Sequence, residues 1–147
     1  MNKLLLRLAF TATAGSLLSS EPMIAQLSQT SAKAASVRIT EGPAPERADD
    51  YLTIITWTSN NPGGSLDHLG VVHYGTDPKN LSQTAKSPNR LNAAHSSTIF
   101  RVRIEGLKPG TTYYYTVDSE EPNGKGDGVK SAVKQFTVKQ STVPGTT

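Results

Sequence analysis

Short apolar runs alternate with turn residues over residues 37–138 of this 147-residue chain. The runs recur at a spacing of roughly ten residues, which is typical of an all-β sandwich. No window repeats its apolar positions with the period of a helix. The pattern predicts seven strands: Ser36–Glu41, Tyr51–Thr58, His68–Tyr74, Ser82–Ala85, His95–Ile104, Thr112–Ser119 and Ala132–Val138. The run Gly42–Pro45 is predicted to end the first strand.

Alternation within these strands predicts which side chains face the core. The side chains assigned to the core are Ile55, Trp57, Val72, Tyr74, Phe100, Val102, Ile104, Tyr113, Tyr115 and Val117. Arg101 and Arg103 then face outward on the fifth strand, and Tyr114 faces outward on the sixth. Exposed Arg and Tyr are typical of binding patches, so these three residues are predicted to line a surface for a sugar or a peptide.

The first residues have the order of features found in an export signal. A basic start at Lys3 precedes an apolar stretch that ends in small residues, with cleavage predicted after Ala25 or after Ala34. A cytoplasmic tail is the alternative. The stretch from Leu8 to Leu18 is too short to span a bilayer, which takes about 20 apolar residues. We therefore expect a secreted, periplasmic or extracellular protein that has no stable membrane span after signal cleavage.

The predicted domain organisation has four parts. Residues 1–25 form the signal peptide, with its end as late as residue 34 in the alternative, and residues 26–36 form a flexible tether rich in Ser, Gln, Thr and Ala. Residues 37–138 form the single folded domain. Residues 139–147 form a polar, disordered tail.

Charge and cysteine content exclude several classes of function. The chain has 15 basic and 12 acidic side chains, but cleavage after Ala34 leaves 12 and 11, a net charge of +1. The basic residues are scattered along the domain, whereas nucleic-acid binding needs a clustered basic face, so no nucleic-acid partner is expected. The chain contains no Cys, which excludes disulfides, thiol catalysis and Cys-ligated zinc.

One turn carries a family resemblance. The run Leu107-Lys108-Pro109-Gly110-Thr111-Thr112-Tyr113 resembles the tyrosine corner of fibronectin type III domains. The resemblance implies that Pro109 and Gly110 turn the chain between sheets, that Leu107 packs beneath, and that the Tyr113 hydroxyl bonds to backbone near the turn. It also implies that Trp57 is buried on the second strand. The fold expected is a seven-stranded antiparallel immunoglobulin-like β-sandwich.

A narrower resemblance overlaps the first one. The runs 72–81, 106–115 and 136–138, with Tyr74 and His95, look like the fibronectin-like N-terminal domain of purple acid phosphatases. In that family, catalysis belongs to a following metallophosphatase domain. This chain contains no Gly-Asn-His-Glu motif, so the resemblance implies an accessory domain, a remnant or a partner of a metallophosphatase, rather than a phosphatase.

The remaining polar residues do not form a reactive constellation. His68 and His73 have opposite parity on one strand, so they are expected to point to opposite faces and not to chelate together. The loop 123–128 superficially resembles a calcium loop, but Lys125 takes a ligand position and no Glu closes the loop. The sequence therefore predicts no catalytic residue, no metal site and no cofactor.

The tripeptide Lys125-Gly126-Asp127 offers a different function. It lies in the loop between the sixth and seventh strands, where some fibronectin type III domains carry an Arg-Gly-Asp adhesion tripeptide. A simple glycine-rich turn is the alternative, because three-residue motifs recur by chance. The principal expectation is a secreted, non-catalytic module that binds a protein or a cell-surface glycan, or that acts as a spacer.

Overall fold

The structure is a computed structural model that describes residues 31–140. These residues form seven β-strands and no helix. The strands are β1 (Ile39–Asp49), β2 (Leu52–Asn60), β3 (Asp67–Gly75), β4 (Gln83–Arg90), β5 (Ser97–Glu105), β6 (Thr112–Glu120) and β7 (Lys134–Thr137). The predicted signal peptide, the first five residues of the tether and residues 141–147 of the tail lie outside the described residues. Between residues 31 and 140, no helix has the length and apolar character needed to cross a bilayer.

The strands form two sheets that face each other as a sandwich. One sheet has three strands in the order β1-β2-β5, and the other has four in the order β4-β3-β6-β7. Every pair of neighbouring strands is antiparallel. The predicted seven-stranded antiparallel, fibronectin type III-like sandwich is therefore confirmed.

The core lies between the sheets and is filled by the side chains that alternation assigned to it. Trp57 from β2 and Phe100 from β5 stack with their ring centroids 5.2 Å apart. Gly70 on β3 faces this pair, and a Cβ placed there would lie 3.1 Å from the Trp57 ring and 3.0 Å from Val102. The absence of a side chain at Gly70 thus lets the four-stranded sheet pack closely on the tryptophan.

Two edge strands are longer than the sequence pattern predicts. β1 continues through Pro43 and Pro45 to Asp49, with three shifts of register against β2, although Gly42–Pro45 was expected to end it. β4 reaches Arg90 and includes Pro88. Proline removes a ladder donor, but an edge strand needs partners on one side only, so proline is tolerated there.

The described parts of the predicted tether and tail lie against the domain. The Ala34 amide donates to the Pro62 carbonyl, and the Gly64 amide donates to the Ser31 carbonyl, each at 2.8 Å. At the other terminus, the Lys139 amide donates to the Ala48 carbonyl at 3.0 Å. These contacts differ from the flexible tether and disordered tail that the sequence predicts. They are made by backbone groups, which leave no signature in the side-chain pattern.

Candidate functional site

The tyrosine corner closes one end of the sandwich as predicted. The hydroxyl of Tyr113 accepts a hydrogen bond of 3.1 Å from the Lys108 amide. Gly110, next to Pro109, has a φ of 72°, a backbone conformation that favours glycine. Leu107 is buried beneath the turn.

Aromatic rings fill the space behind this corner. The Tyr113 ring lies 6.2 Å from the ring of Tyr74 and 5.7 Å from that of Phe136, measured between centroids. Tyr115 also packs on Phe136 at 5.7 Å, and burial raises the pKa of its hydroxyl to about 12. Tyr113 therefore makes the backbone hydrogen bond that the resemblance implies, and Tyr74 packs against its ring.

The predicted surface of Arg101, Arg103 and Tyr114 does not form. Both arginines lie on the outer face of the three-stranded sheet, through β5. Tyr114 lies on β6 of the other sheet and points away from the core, on the opposite side of the sandwich. Alternation assigned each residue correctly to an outer face but could not tell that the two strands belong to different sheets.

The outer face of the three-stranded sheet has a shallow groove of about 480 Å³. The Arg101 guanidinium donates to both carboxylate oxygens of Glu46 on β1, at 2.8 and 2.5 Å. The hydrogen bond from Arg101 holds the pKa of the Glu46 carboxyl below its usual value. Ile99 lies beside this pair with 62% of its surface exposed. An exposed apolar side chain next to a fixed arginine is a combination found in protein-binding surfaces.

The Lys125–Asp127 tripeptide is not presented as an adhesion ligand. Asp127 turns into the protein, and its side chain has no exposed surface. Its Oδ2 accepts a hydrogen bond of 2.6 Å from the Ser119 hydroxyl, and its Oδ1 accepts one from the Lys33 ammonium. The carboxylate that an adhesion receptor would have to reach is thus engaged inside the domain, while Lys125 and Gly126 are exposed.

Asp127 belongs to a polar cluster at the end of the sandwich opposite the tyrosine corner. The cluster consists of Lys33, His68, Ser119, Glu121 and Asp127, and we call it the polar end. The imidazole Nε2 of His68 lies 3.4 Å from Asp127 Oδ1, and neither side chain is exposed. The Lys33 Nζ lies 3.1 Å from Glu121 Oε1.

Backbone hydrogen bonds hold the two carboxylates in place. The Asp127 amide donates to the Ser119 carbonyl at 2.8 Å, and the Glu121 amide donates to the Lys125 carbonyl at 2.9 Å. The loop after β6 therefore folds back on the strand that precedes it. Both carboxylates are carried by this one loop, which faces His68 at the start of β3.

Electrostatics at the polar end favour the ionised forms of Lys33 and Glu121. Burial acts to lower the pKa of Lys33, but hydrogen bonds to Asp127 and Glu121 outweigh it and leave that pKa raised. The hydrogen bond from Lys33 lowers the pKa of Glu121. Lys33 thus acts as a fixed positive charge between two carboxylates.

The polar end was not predicted from the sequence, although one signal pointed to it. His68, Gly70 and Val72 alternate along β3 and face the same side of the sheet, so His68 is a polar side chain at an inward position. The predicted divergence of His68 and His73 is confirmed, because His73 lies on the outer face and contacts Asp118 at 3.2 Å. Lys33 could not be linked to His68 from the sequence, because it comes from the segment predicted to be a tether.

Solved structures resemble this fold at low sequence identity. The sensor domain of the anti-sigma factor RsgI4 from Pseudobacteroides cellulosolvens matches 76% of this chain and 97% of its own, with 17% identity and a TM-score of 0.52. The third fibronectin III domain of the human KIAA0343 protein covers 95% of this chain and 100% of its own, with 14% identity and a TM-score of 0.37. No curated protein matches the chain.

The sequence also matches a family model over most of the sandwich. The matched residues are 45–138, which run from the middle of β1 to just beyond β7, and the model describes the N-terminal domain of purple acid phosphatases. This match covers the tyrosine corner and both sheets. The chain belongs to the family of purple acid phosphatase N-terminal domains.

Proposed function

We propose that this chain is an exported, non-catalytic module that docks another protein through the outer face of its three-stranded sheet. The observation that carries the proposal is Ile99, which is 62% exposed at the edge of the groove described above. Arg101 is held beside it by Glu46, so a partner would meet an ordered guanidinium. Ordered arginine around an exposed apolar side chain favours protein binding over glycan binding or spacing, which are the alternatives.

The use of polar groups inside the fold supports a non-catalytic role. The buried carboxylate of Asp127 is engaged by Lys33 and Ser119, and His68 faces it from the interior. A hydrolytic site needs such groups to converge on a cleft that a substrate can enter. The chain belongs to a family of N-terminal domains of purple acid phosphatases, and membership of this family agrees with a non-catalytic role.

The N-terminal sequence supports export. Lys3, the following apolar stretch and the small residues up to Ala25 have the order of a signal peptide. Intact-mass analysis of the protein recovered outside the cell would test this proposal. Recovery of the complete chain from the cytosol would contradict it.

Site-specific photo-crosslinking would test the docking face. A photoreactive residue at position 99 is expected to form an adduct with one protein of the native extracellular fraction. The same residue at position 86, on the opposite sheet, is the matched control and is expected to form none. The Arg101→Ala substitution should weaken the adduct at position 99. Equal labelling from positions 99 and 86 would contradict the proposal, and binding to a glycan array without any adduct would favour the carbohydrate alternative.

A second candidate is an accessory domain that works with a purple acid phosphatase-like catalytic domain. The family match over residues 45–138 favours it. A metallophosphatase domain encoded immediately downstream, which binds this chain in solution, would support it. Hydrolysis of an aryl phosphate by the purified chain with added iron or zinc would contradict the non-catalytic assignment in both candidates.

A further inference from the structure

The polar end contains a buried histidine that has no hydrogen-bond partner. His68 is 1% exposed, and among the described residues neither Nδ1 nor Nε2 makes a hydrogen bond. Leaving a buried polar group unpaired costs free energy, and such groups in native proteins call for a physical explanation. Nε2 lies 3.4 Å from Asp127 Oδ1, too far for a good hydrogen bond.

This spacing fits two ligands of one metal ion better than it fits a donor and an acceptor. Ligand atoms of a tetrahedral zinc site with bonds of about 2.0–2.1 Å lie about 3.3–3.4 Å apart. One ring nitrogen of His68, one Glu121 carboxylate oxygen and one Asp127 carboxylate oxygen all lie within 4.8 Å of one another. Glu121 is partly exposed on a loop, so a side-chain rotation can bring its oxygen closer.

The surroundings already orient the ligands. The Ser119 hydroxyl donates to Asp127 Oδ2, so that Oδ1, which accepts from Lys33, is the carboxylate oxygen next to His68. Hydrogen bonds of this kind, from a residue behind the ligand, are a general feature of metal sites. Gly64 adds room on the outer side, since a Cβ there would lie 3.1 Å from Glu121 Oε1.

Lys33 supplies positive charge next to the two carboxylates of Glu121 and Asp127. Its ammonium bonds to both Asp127 and Glu121, so one cation bridges the two carboxylates. A divalent ion bound by the same carboxylates would neutralise both of them, whereas Lys33 neutralises one. The ammonium and the ion would use the same carboxylate oxygens, so binding of one excludes the other.

We propose that His68, Glu121 and Asp127 form a binding site for a divalent transition-metal ion, with Lys33 as a built-in competitor for it. One imidazole nitrogen and two carboxylates suit zinc and related ions, whereas calcium and magnesium prefer ligand sets made only of oxygen. The site is distinct from the docking face, which lies on the outer surface of the other sheet. The proposal does not depend on the docking role.

The position of Lys33 connects this site to maturation of the N-terminus. Of the two predicted cleavage points, the one after Ala25 keeps Lys33 in the mature protein, and the one after Ala34 removes it. Processing would therefore decide whether the competitor is present.

Zinc binding to the full chain and to a Lys33→Ala variant would test the proposal. A charge-assisted hydrogen bond shifts an equilibrium constant by about tenfold, so the variant is expected to bind zinc about tenfold more tightly than the parent. Competition with a chromophoric chelator measures this difference. The matched control is Lys79→Ala, which removes an exposed lysine from the β3–β4 turn and should leave the affinity unchanged. Calcium and magnesium should not compete.

To identify the zinc ligands, further substitutions are made in the Lys33→Ala variant. Adding Glu121→Gln or Asp127→Asn should reduce zinc affinity at least about tenfold, because a charged ligand is lost. Replacing His68 could unfold the domain, so imidazole ¹H–¹⁵N spectra of the Lys33→Ala chain give the second measurement. Zinc should shift the ring nitrogens of His68 and leave those of His73 and His95 in place. The proposal is overturned if Lys33→Ala binds zinc no more tightly than Lys79→Ala, or if the shifted ring is not that of His68.

Discussion

The two ends of the sandwich are built in different ways. The tyrosine corner is apolar and local, because one run of seven residues, 107–113, provides its turn, its hydrogen bond and its buried leucine. The polar end draws its side chains from residue 33, from β3, from β6 and from the loop that follows β6. The two ends lie at opposite limits of the β3–β6 pairing, which runs from Leu69–Glu120 to Gly75–Tyr114.

This difference separates the end of the sandwich that stabilises the fold from the end whose polar side chains could bind a ligand. Aromatic packing at the corner contributes in proportion to the apolar area that it buries. At the polar end, buried charges have lost their hydration, and a buried ion pair is weak evidence of net stability. We therefore expect the corner to anchor the domain and the polar end to hold a function.

The largest expected effect is at the corner. Phe136→Ala removes the ring that packs on both Tyr113 and Tyr115, and we expect a loss of about 3–5 kcal/mol in the free energy of unfolding. Urea denaturation measures it. The control is Gln135→Ala, an exposed neighbour on β7, which should change stability by less than about 0.5 kcal/mol. A loss under about 1 kcal/mol for Phe136→Ala would mean that the corner is not the anchor, since cavities at buried aromatic residues cost more than this.

A smaller loss is expected at the polar end. Asp127→Asn keeps the shape of the side chain but removes the charge that faces Lys33, so we expect a loss of about 1–3 kcal/mol. Asp67→Asn is the matched control, because its ion pair with Arg90 is largely exposed and should contribute about 0–1 kcal/mol. Equal losses from the two substitutions, measured by urea denaturation, would show that burial of Asp127 has no energetic consequence.

The same difference explains how much of the fold the sequence could predict. Alternation identified every apolar core residue of β2, β5 and β6, and the corner could be recognised because its residues are contiguous. The edge strands β1 and β4 were predicted too short. For β1, the run Gly42–Pro45 predicts an early end, but proline ends a strand only when both sides of that strand need partners. Edge position is a property of the assembled sheet, so no local pattern reveals it.

The candidate sites were harder to predict for a related reason. Asp127 was assigned to an exposed tripeptide, because a Gly-rich sequence indicates a surface loop without showing which way its side chains turn. Its partners Lys33 and Ser119 are 94 and 8 residues away in the chain. Arg101 and Tyr114 were grouped because both face outward, but sheet membership depends on pairing between distant strands.

The hydrogen bond of the corner gives a third prediction. Tyr113→Phe leaves the packing on Phe136 in place and removes only the acceptor for the Lys108 amide, so we expect a loss of about 0.5–1.5 kcal/mol. Tyr114→Phe is the control, since that residue faces away from the core. Both variants are compared in thermal melts. If Tyr113→Phe is as stable as Tyr114→Phe, the corner stabilises the domain by packing alone.

The smallest effect on stability is expected on the exposed face between the two ends, where Arg101 bonds to Glu46. Arg101→Ala should raise the pKa of the Glu46 carboxyl toward its ordinary value of 4.5, because the guanidinium that lowers it is gone. Carboxyl-resolved NMR titration measures this change, and Arg103→Ala, which removes the partner of Glu105, should leave the Glu46 pKa where it is.

The sign of the accompanying pH dependence follows from the direction of that shift. A carboxyl whose pKa is lowered by folding stabilises the protein above its unfolded pKa, and this contribution disappears as pH falls through the folded pKa. Any difference in stability between the parent and Arg101→Ala should therefore be present near neutral pH and vanish in acid. A difference that persisted in acid would have to come from packing of the Arg101 stem rather than from charge. The Arg101–Glu46 pair would then stabilise the domain by packing, as the tyrosine corner does, rather than by charge. The difference between the apolar corner and the polar end would not extend to the outer face of the sandwich.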